Sequence, residues 1–168
     1  AVIQPHSDDI HLFAAGTVAK LLHEGYTGYL IRTTNDDSAG IGNSLGEVVM
    51  NNEKDNDAVA KVLGLKKVYN LNYRNHNMDE YGIQEIKARM IFLIRLLKID
   101  TVICYDPWAP YENNPDHYIT ARAVEASITP AAARDYPEQL EVVDPHLVAE
   151  KYFFTRRGPQ QVNRIVDI

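Results

Sequence analysis

The sequence predicts an α/β fold, a Rossmann-like three-layer arrangement with a mostly parallel sheet, on three observations. Short runs rich in β-branched residues alternate with segments of helical period. Each switch is marked by Gly, Pro, Asn or Asp. The strand-like runs are apolar on both faces, as strands covered from both sides should be. Strands are expected at Ala1–Gln4, Gly28–Thr33, Val68–Leu71, Thr101–Tyr105 and Tyr152–Thr155, with a sixth at Val162–Val166. A helix over Ile10–Glu24 places Phe13, Ala14, Val18, Leu21 and Leu22 on one stripe, and Gly25 supplies the left-handed residue that ends it. A second, Gly46–Leu63, ends in the same way at Gly64. The third, Ile83–Leu97, buries Ile86, Met90, Leu93, Ile94 and Leu97, and the fourth opens at Asn114-Pro115, a cap followed by a proline suited to the first turn.

The 168 residues, 45% hydrophobic and 24% charged, suit one domain able to bury its own core, and a single domain is expected over residues 1–168. The apolar opening Ala1-Val2-Ile3 and the strand-like Val162–Ile168 suggest that N- and C-terminal segments are lacking. Seventeen Lys+Arg against 23 Asp+Glu give a charge of −6 with the basic residues scattered, which argues against nucleic acid as a partner. The lone Cys104 cannot form an internal disulfide, so a cytoplasmic setting is expected. No apolar run reaches the roughly 18 residues a membrane span needs, and no leader pattern is present. A homo-oligomer is left open.

In open parallel sheets the site lies beyond the carboxyl ends of the strands. Two segments there carry chemistry: Pro5-His6-Ser7-Asp8-Asp9 after the first strand, and Asn114-Pro115-Asp116-His117 after the fourth and its long loop. Neither GxGxxG nor GxxxxGK[ST] occurs, so a nucleotide-binding domain is disfavoured. His and carboxylate ligands leaving one position open are the pattern of catalytic zinc, and His6, Asp9 and His117 fit it. Asp8 is left beside the metal, where a carboxylate can act as general base toward a metal-activated water. The plainer alternative is that Asp8 and Asp9 merely favour a helix N-terminus with Ser7 as its cap, and that His117 is a helix-start histidine.

These motifs resemble those of the PIG-L/LmbE-like metal-dependent de-N-acetylases, whose hallmark is a first-strand (A/P)-H-(P/A/S)-D-D followed later by P-D-H. The likeness extends through Ala15-Gly16-Thr17, Asp37-Ser38-Ala39-Gly40, Glu53, Leu63-Gly64 and Val166-Asp167-Ile168. The resemblance implies zinc or another divalent ion on His6, Asp9 and His117, with Asp8 as general base. It also implies removal of an N-acetyl group from an amino sugar such as N-acetylglucosamine, or from a glycoconjugate. Two departures stand out. Many relatives carry a second His where this chain has Asn114, and an Arg where it has Met50. Asn114 or His76 is therefore expected to supply the donor for the oxyanion, and His76, Tyr111 and Glu112 are candidates for altered substrate contacts. Tyr105, Trp108, Tyr111 and Tyr118 flank the second motif and could stack on a sugar, while 106–115 and 36–42 read as rim loops. The competing reading is a catalytically weak or inactive relative that keeps the metal or sugar site. His11, His23 and His146 are placed outside the ligand set.

Overall fold

Alternation along the strands divides the interior into two cores. In the computed structural model, which describes residues 1–156 and 162–168, Val2, Leu30 and Ile103 face one core with Ile10, Ala14, Val18, Leu21, Ala60 and Leu65. Their neighbours Ile3, Ile31, Val102 and Cys104 face the other, with Ile86, Met90, Ile94 and Val124. A period of two therefore puts a helical layer on each side of the sheet. The strands are β1 (Val2–Gln4), β2 (Leu30–Thr34), β3 (Val68–Tyr73), β4 (Thr101–Tyr105) and β5 (Glu150–Phe154). All pair in parallel, in the order β3-β2-β1-β4-β5. Chain order reverses direction between β1 and β4, so the crevice opens past their carboxyl ends.

The helices are α1 (Asp9–Phe13), α2 (Ala15–His23), α3 (Leu45–Leu63), α4 (Ile83–Leu97) and α5 (Pro115–Ser127). Gly25 and Gly64 take φ of +100° and +84° after α2 and α3, the left-handed endings their positions predict. Ser44 caps α3 by accepting from the Glu47 amide, and Asn114 caps α5 by accepting from the Asp116 amide at 3.0 Å. Among the described residues no helix is long and apolar enough to cross a membrane.

Two expectations are corrected. The helix over Ile10–Glu24 is broken at Ala14, whose φ of −137° and ψ of 0° leave the helical region. The break turns α1 separately from α2 and leaves Phe13 beside Tyr105 and Phe154, with ring centroids 6.2 and 6.3 Å away, instead of on the α2 stripe. Val162–Val166 is not a strand. It makes no ladder pairing with the described residues, and Val162 and Ile165 are 74% and 89% exposed. Asn163 and Arg164 interrupt its apolar run, and Arg164 lies over the Tyr152 ring while Ile168 closes on Gly16.

Candidate metal centre

The loop joining β1 to α1 is tied down by backbone and side-chain bonds from three elements. Gln4 Oε1 accepts from the Ile10 amide at 3.0 Å, and the Pro5 carbonyl accepts from Thr34 Oγ1 at 2.7 Å and from the Thr34 amide at 3.1 Å. The Ser7 amide donates to Asp36 Oδ2 at 2.8 Å, and the His6 amide to Asp9 Oδ2 at 2.8 Å. Asp36 adopts a left-handed φ of 54° to reach the loop and receives Arg32 Nη1 at 3.3 Å. Strain of this kind in a buried aspartate persists only where its surroundings over-determine it.

So held, the loop presents His6 and Asp9 to His117 from the first turn of α5. His6 Nδ1 lies 3.1 Å from His117 Nε2 and 3.4 Å from Asp9 Oδ2, while His117 Nε2 lies 3.4 Å from Asp9 Oδ1. Ligands about 2.0–2.2 Å from a tetrahedral ion stand roughly 3.3–3.6 Å apart, so these side chains could hold one divalent cation.

Each ligand also has neighbours outside the cluster. His6 Nε2 donates to Asp116 Oδ2 at 2.9 Å. Asp116 is wholly buried and also accepts from the His76 amide at 2.7 Å and the Met78 amide at 3.1 Å. Tyr105 donates its hydroxyl to Asp9 Oδ1 at 2.7 Å and stacks on the His117 ring, with centroids 4.2 Å apart at 15°. His117 Nδ1 is buried without an aligned hydrogen bond, and Glu112 Oε2 stands 3.2 Å from it. Outer partners of this kind fix ring orientation at metal sites.

The titration behaviour follows from the same contacts. Burial pulls the His6 imidazole down, but hydrogen bonds to Asp116 and Asp9, with their charges, override it and raise its pKa to about 10. At His117, by contrast, burial prevails and lowers the pKa, favouring the neutral ring a metal requires. For Asp9 and Asp116 burial acts upward, yet the bonds and charge of His6, with backbone donors, leave both below the usual carboxylate range. The Asp36 carboxyl is raised, chiefly by burial.

A cavity of about 440 Å³ opens over the cluster, lined among others by Asp8, Leu12, Asn52, His76, Asn114 and Arg156. Asp8 is exposed in it and makes no capping hydrogen bond to α1. The His76 ring is 5.8 Å from that of His6, and His76 too has a left-handed φ, 53°. Asn114 lines the cavity with its Oδ1 committed to the helix cap. A second cavity, about 480 Å³, lies at the amino-terminal ends of the central strands around Ala1, Tyr26 and Asp100, away from the ligand cluster.

Some sequence assignments need correction. Tyr105 is buried behind the ligands and is no sugar platform; Trp108 and Tyr111 are 68% and 75% exposed. Glu112 turns inward to His117 and Arg156 instead of toward substrate. Asp116 sits inside the Pro115-Asp116-His117 motif, yet its role is not legible there, because a helix-start Asp is also a common dipole partner. His146 pairs with Asp100 at 3.1 Å, outside the centre.

Residues 1–128 match the PIG-L family, described as GlcNAc-PI de-N-acetylase. The chain belongs to the PIG-L family. A diacetylchitobiose deacetylase of Thermococcus kodakarensis is 28% identical over 172 residues, covering 99% of this chain and 62% of the relative. The structure of the N,N'-diacetylchitobiose deacetylase from Pyrococcus horikoshii superposes with a TM-score of 0.80 at 27% identity, over 95% of this chain and 61% of that one. A conserved protein from Thermus thermophilus shares the fold at 22% identity and a TM-score of 0.76, over 95% and 67% of the two chains. This PIG-L chain thus spans less than two thirds of the length of the two deacetylases.

Proposed function

We propose that this PIG-L chain hydrolyses an N-acetyl group on an amino sugar or glycoconjugate, releasing acetate and a free amine. The observation that carries the proposal is the convergence of His6, Asp9 and His117 to ligand spacing beneath a cavity into which Asp8 is exposed. The names of the two deacetylase relatives support the acetylated-sugar substrate class. Zinc or another divalent ion on those three residues would supply a Lewis acid that lowers the pKa of water and polarises the acyl oxygen. Asp8 accepts a proton from the attacking water as its oxygen bonds to the acetyl carbon. When the C–N bond breaks, the leaving nitrogen takes that proton from Asp8. Asn114 Nδ2 and the His76 ring, both on the cavity wall, are the donors proposed for the oxyanion. The polar wall of Asn52, Asn75, His76 and Asn114 suits sugar hydroxyls. The proposed setting is cytoplasmic, supported by a single buried, unbridged Cys104.

Acetate release from N,N'-diacetylchitobiose and from N-acetylglucosamine by zinc-loaded protein tests the proposal. Release that vanishes on chelation and returns with metal is the expected result; metal bound at full occupancy with no release from any acetylated amino sugar would contradict it. The second reading, binding without turnover, draws on Asn114 and Met50 standing where many relatives carry His and Arg. It predicts that second outcome together with measurable sugar binding.

A further inference from the structure

We infer that Arg156 and Glu112 form a positioning pair that sets the ring state and orientation of His117. The inference rests on the metal centre proposed above and concerns a residue beyond the family-matched region, which ends at residue 128. Arg156 follows β5 by two residues and grips Glu112 with two parallel bonds, Nε to Oε2 at 2.9 Å and Nη2 to Oε1 at 2.9 Å. Such a planar fork fixes both the position and the plane of a carboxylate. The Asn114 amide adds a third bond, to Glu112 Oε1 at 3.0 Å, so the carboxylate is also pinned to the cap of the helix that carries His117. With its side chain only 4% exposed, Glu112 has little access to water.

The consequence falls on His117. Its Nε2 faces His6 and Asp9, so metal binding there requires the lone pair on Nε2 and the proton on Nδ1. Nδ1 is buried, and the Glu112 carboxylate, 3.2 Å away, is the acceptor within reach. Tyr105 stacked on the ring restricts its tilt, leaving rotation in the ring plane to be settled by the Nδ1–Glu112 contact. Arg156 thereby holds the acceptor that selects the ligand tautomer. Without Arg156, Glu112 would be a buried charge without a counter-ion, held only by the Asn114 amide at one oxygen. Because β5 reaches this place through the Tyr105–Phe154 pairing with β4, the clamp links the sheet edge to the metal centre.

The test compares wild type, Glu112→Gln, Arg156→Met and Arg156→Lys for zinc affinity by chelator competition without substrate, with circular dichroism to check folding. Glu112→Gln and Arg156→Met are expected to weaken zinc binding about 10- to 100-fold. Arg156→Lys should recover part of that loss, since an ammonium neutralises Glu112 but cannot match both oxygens. The double variant should be no worse than the weaker single, as expected of residues acting through one contact. In ring-labelled, zinc-loaded wild type the His117 Nδ1 proton should be observed, and in Glu112→Gln, where a neutral amide oxygen replaces the carboxylate, its signal should shift and its exchange quicken. Folded Glu112→Gln with wild-type zinc affinity and an unchanged His117 signal would overturn the inference. If wild type takes up no zinc, the metal centre itself fails, an outcome distinct from loss confined to the variants.

Discussion

Replacing Asp116 by Asn keeps the shape of the side chain and removes one acceptor and the charge. Asp116 is wholly buried and accepts three bonds: from His6 Nε2 at 2.9 Å, the His76 amide at 2.7 Å and the Met78 amide at 3.1 Å. If the Asn carbonyl takes the place of Oδ2, it retains His6 and His76, and its NH2 then opposes the Met78 amide. Two donors facing each other leave a buried N–H unsatisfied at about 1–3 kcal/mol. Loss of charge assistance at His6 adds roughly 1 kcal/mol. The sum, roughly 2–4 kcal/mol, lies below the 5–15 kcal/mol typical of whole domains, so the variant should fold, with a melting temperature lower by about 5–15 °C. The functional effect is separate: His6 loses the anion that orients its ring, and zinc affinity should fall about 10- to 100-fold. Thermal melts and chelator competition on the same preparations measure both. A folded Asp116→Asn protein that binds zinc as tightly as wild type would refute the role given to this carboxylate, whatever happens to its stability.

Three further outcomes follow from the same geometry. Asp8→Asn should cut turnover about 10²- to 10⁴-fold while zinc affinity changes less than about threefold, because Asp8 is exposed in the cavity and is not one of the three clustered ligands; equal losses in both would make Asp8 a ligand. In metal-free protein the folded pKa of His6, about 10, exceeds its unfolded value of about 6.5. The stability it contributes is therefore complete below pH ~6.5 and is lost as pH rises through about 10, so the urea midpoint should fall between those limits. Zinc must displace that proton, so binding at about pH 7–9 should release at least one proton per chain, read by calorimetry in buffers of different ionisation enthalpy; no release would contradict the His6 environment.

Local chemistry explains how far the sequence could be read. Thr101–Tyr105 and Ile83–Leu97 have the bounds expected from β-branched content and helical period, and the Asn114 cap and Gly64 ending depend on one or two residues. The meeting of His6, Asp9 and His117, with Asp8 on the cavity beside them, was legible because both motifs follow strands at the switch point of the sheet. The break at Ala14 was not, because Ala favours helix and only the surroundings of Phe13 and Ile168 distinguish the two halves. Nor was the pairing beside His117: Arg156 and Glu112 are 44 positions apart and meet through the β4–β5 register. The left-handed Asp36 carries no local signal that separates it from an ordinary turn aspartate.

The most direct test of the metal centre is metal content, measured by elemental analysis of protein prepared without chelator, beside His117→Ala and Asp9→Ala. One equivalent of zinc or a similar divalent ion in wild type, lost in both variants, is the predicted result. A wild-type protein that holds no metal and takes up none when it is supplied would contradict the account at its centre.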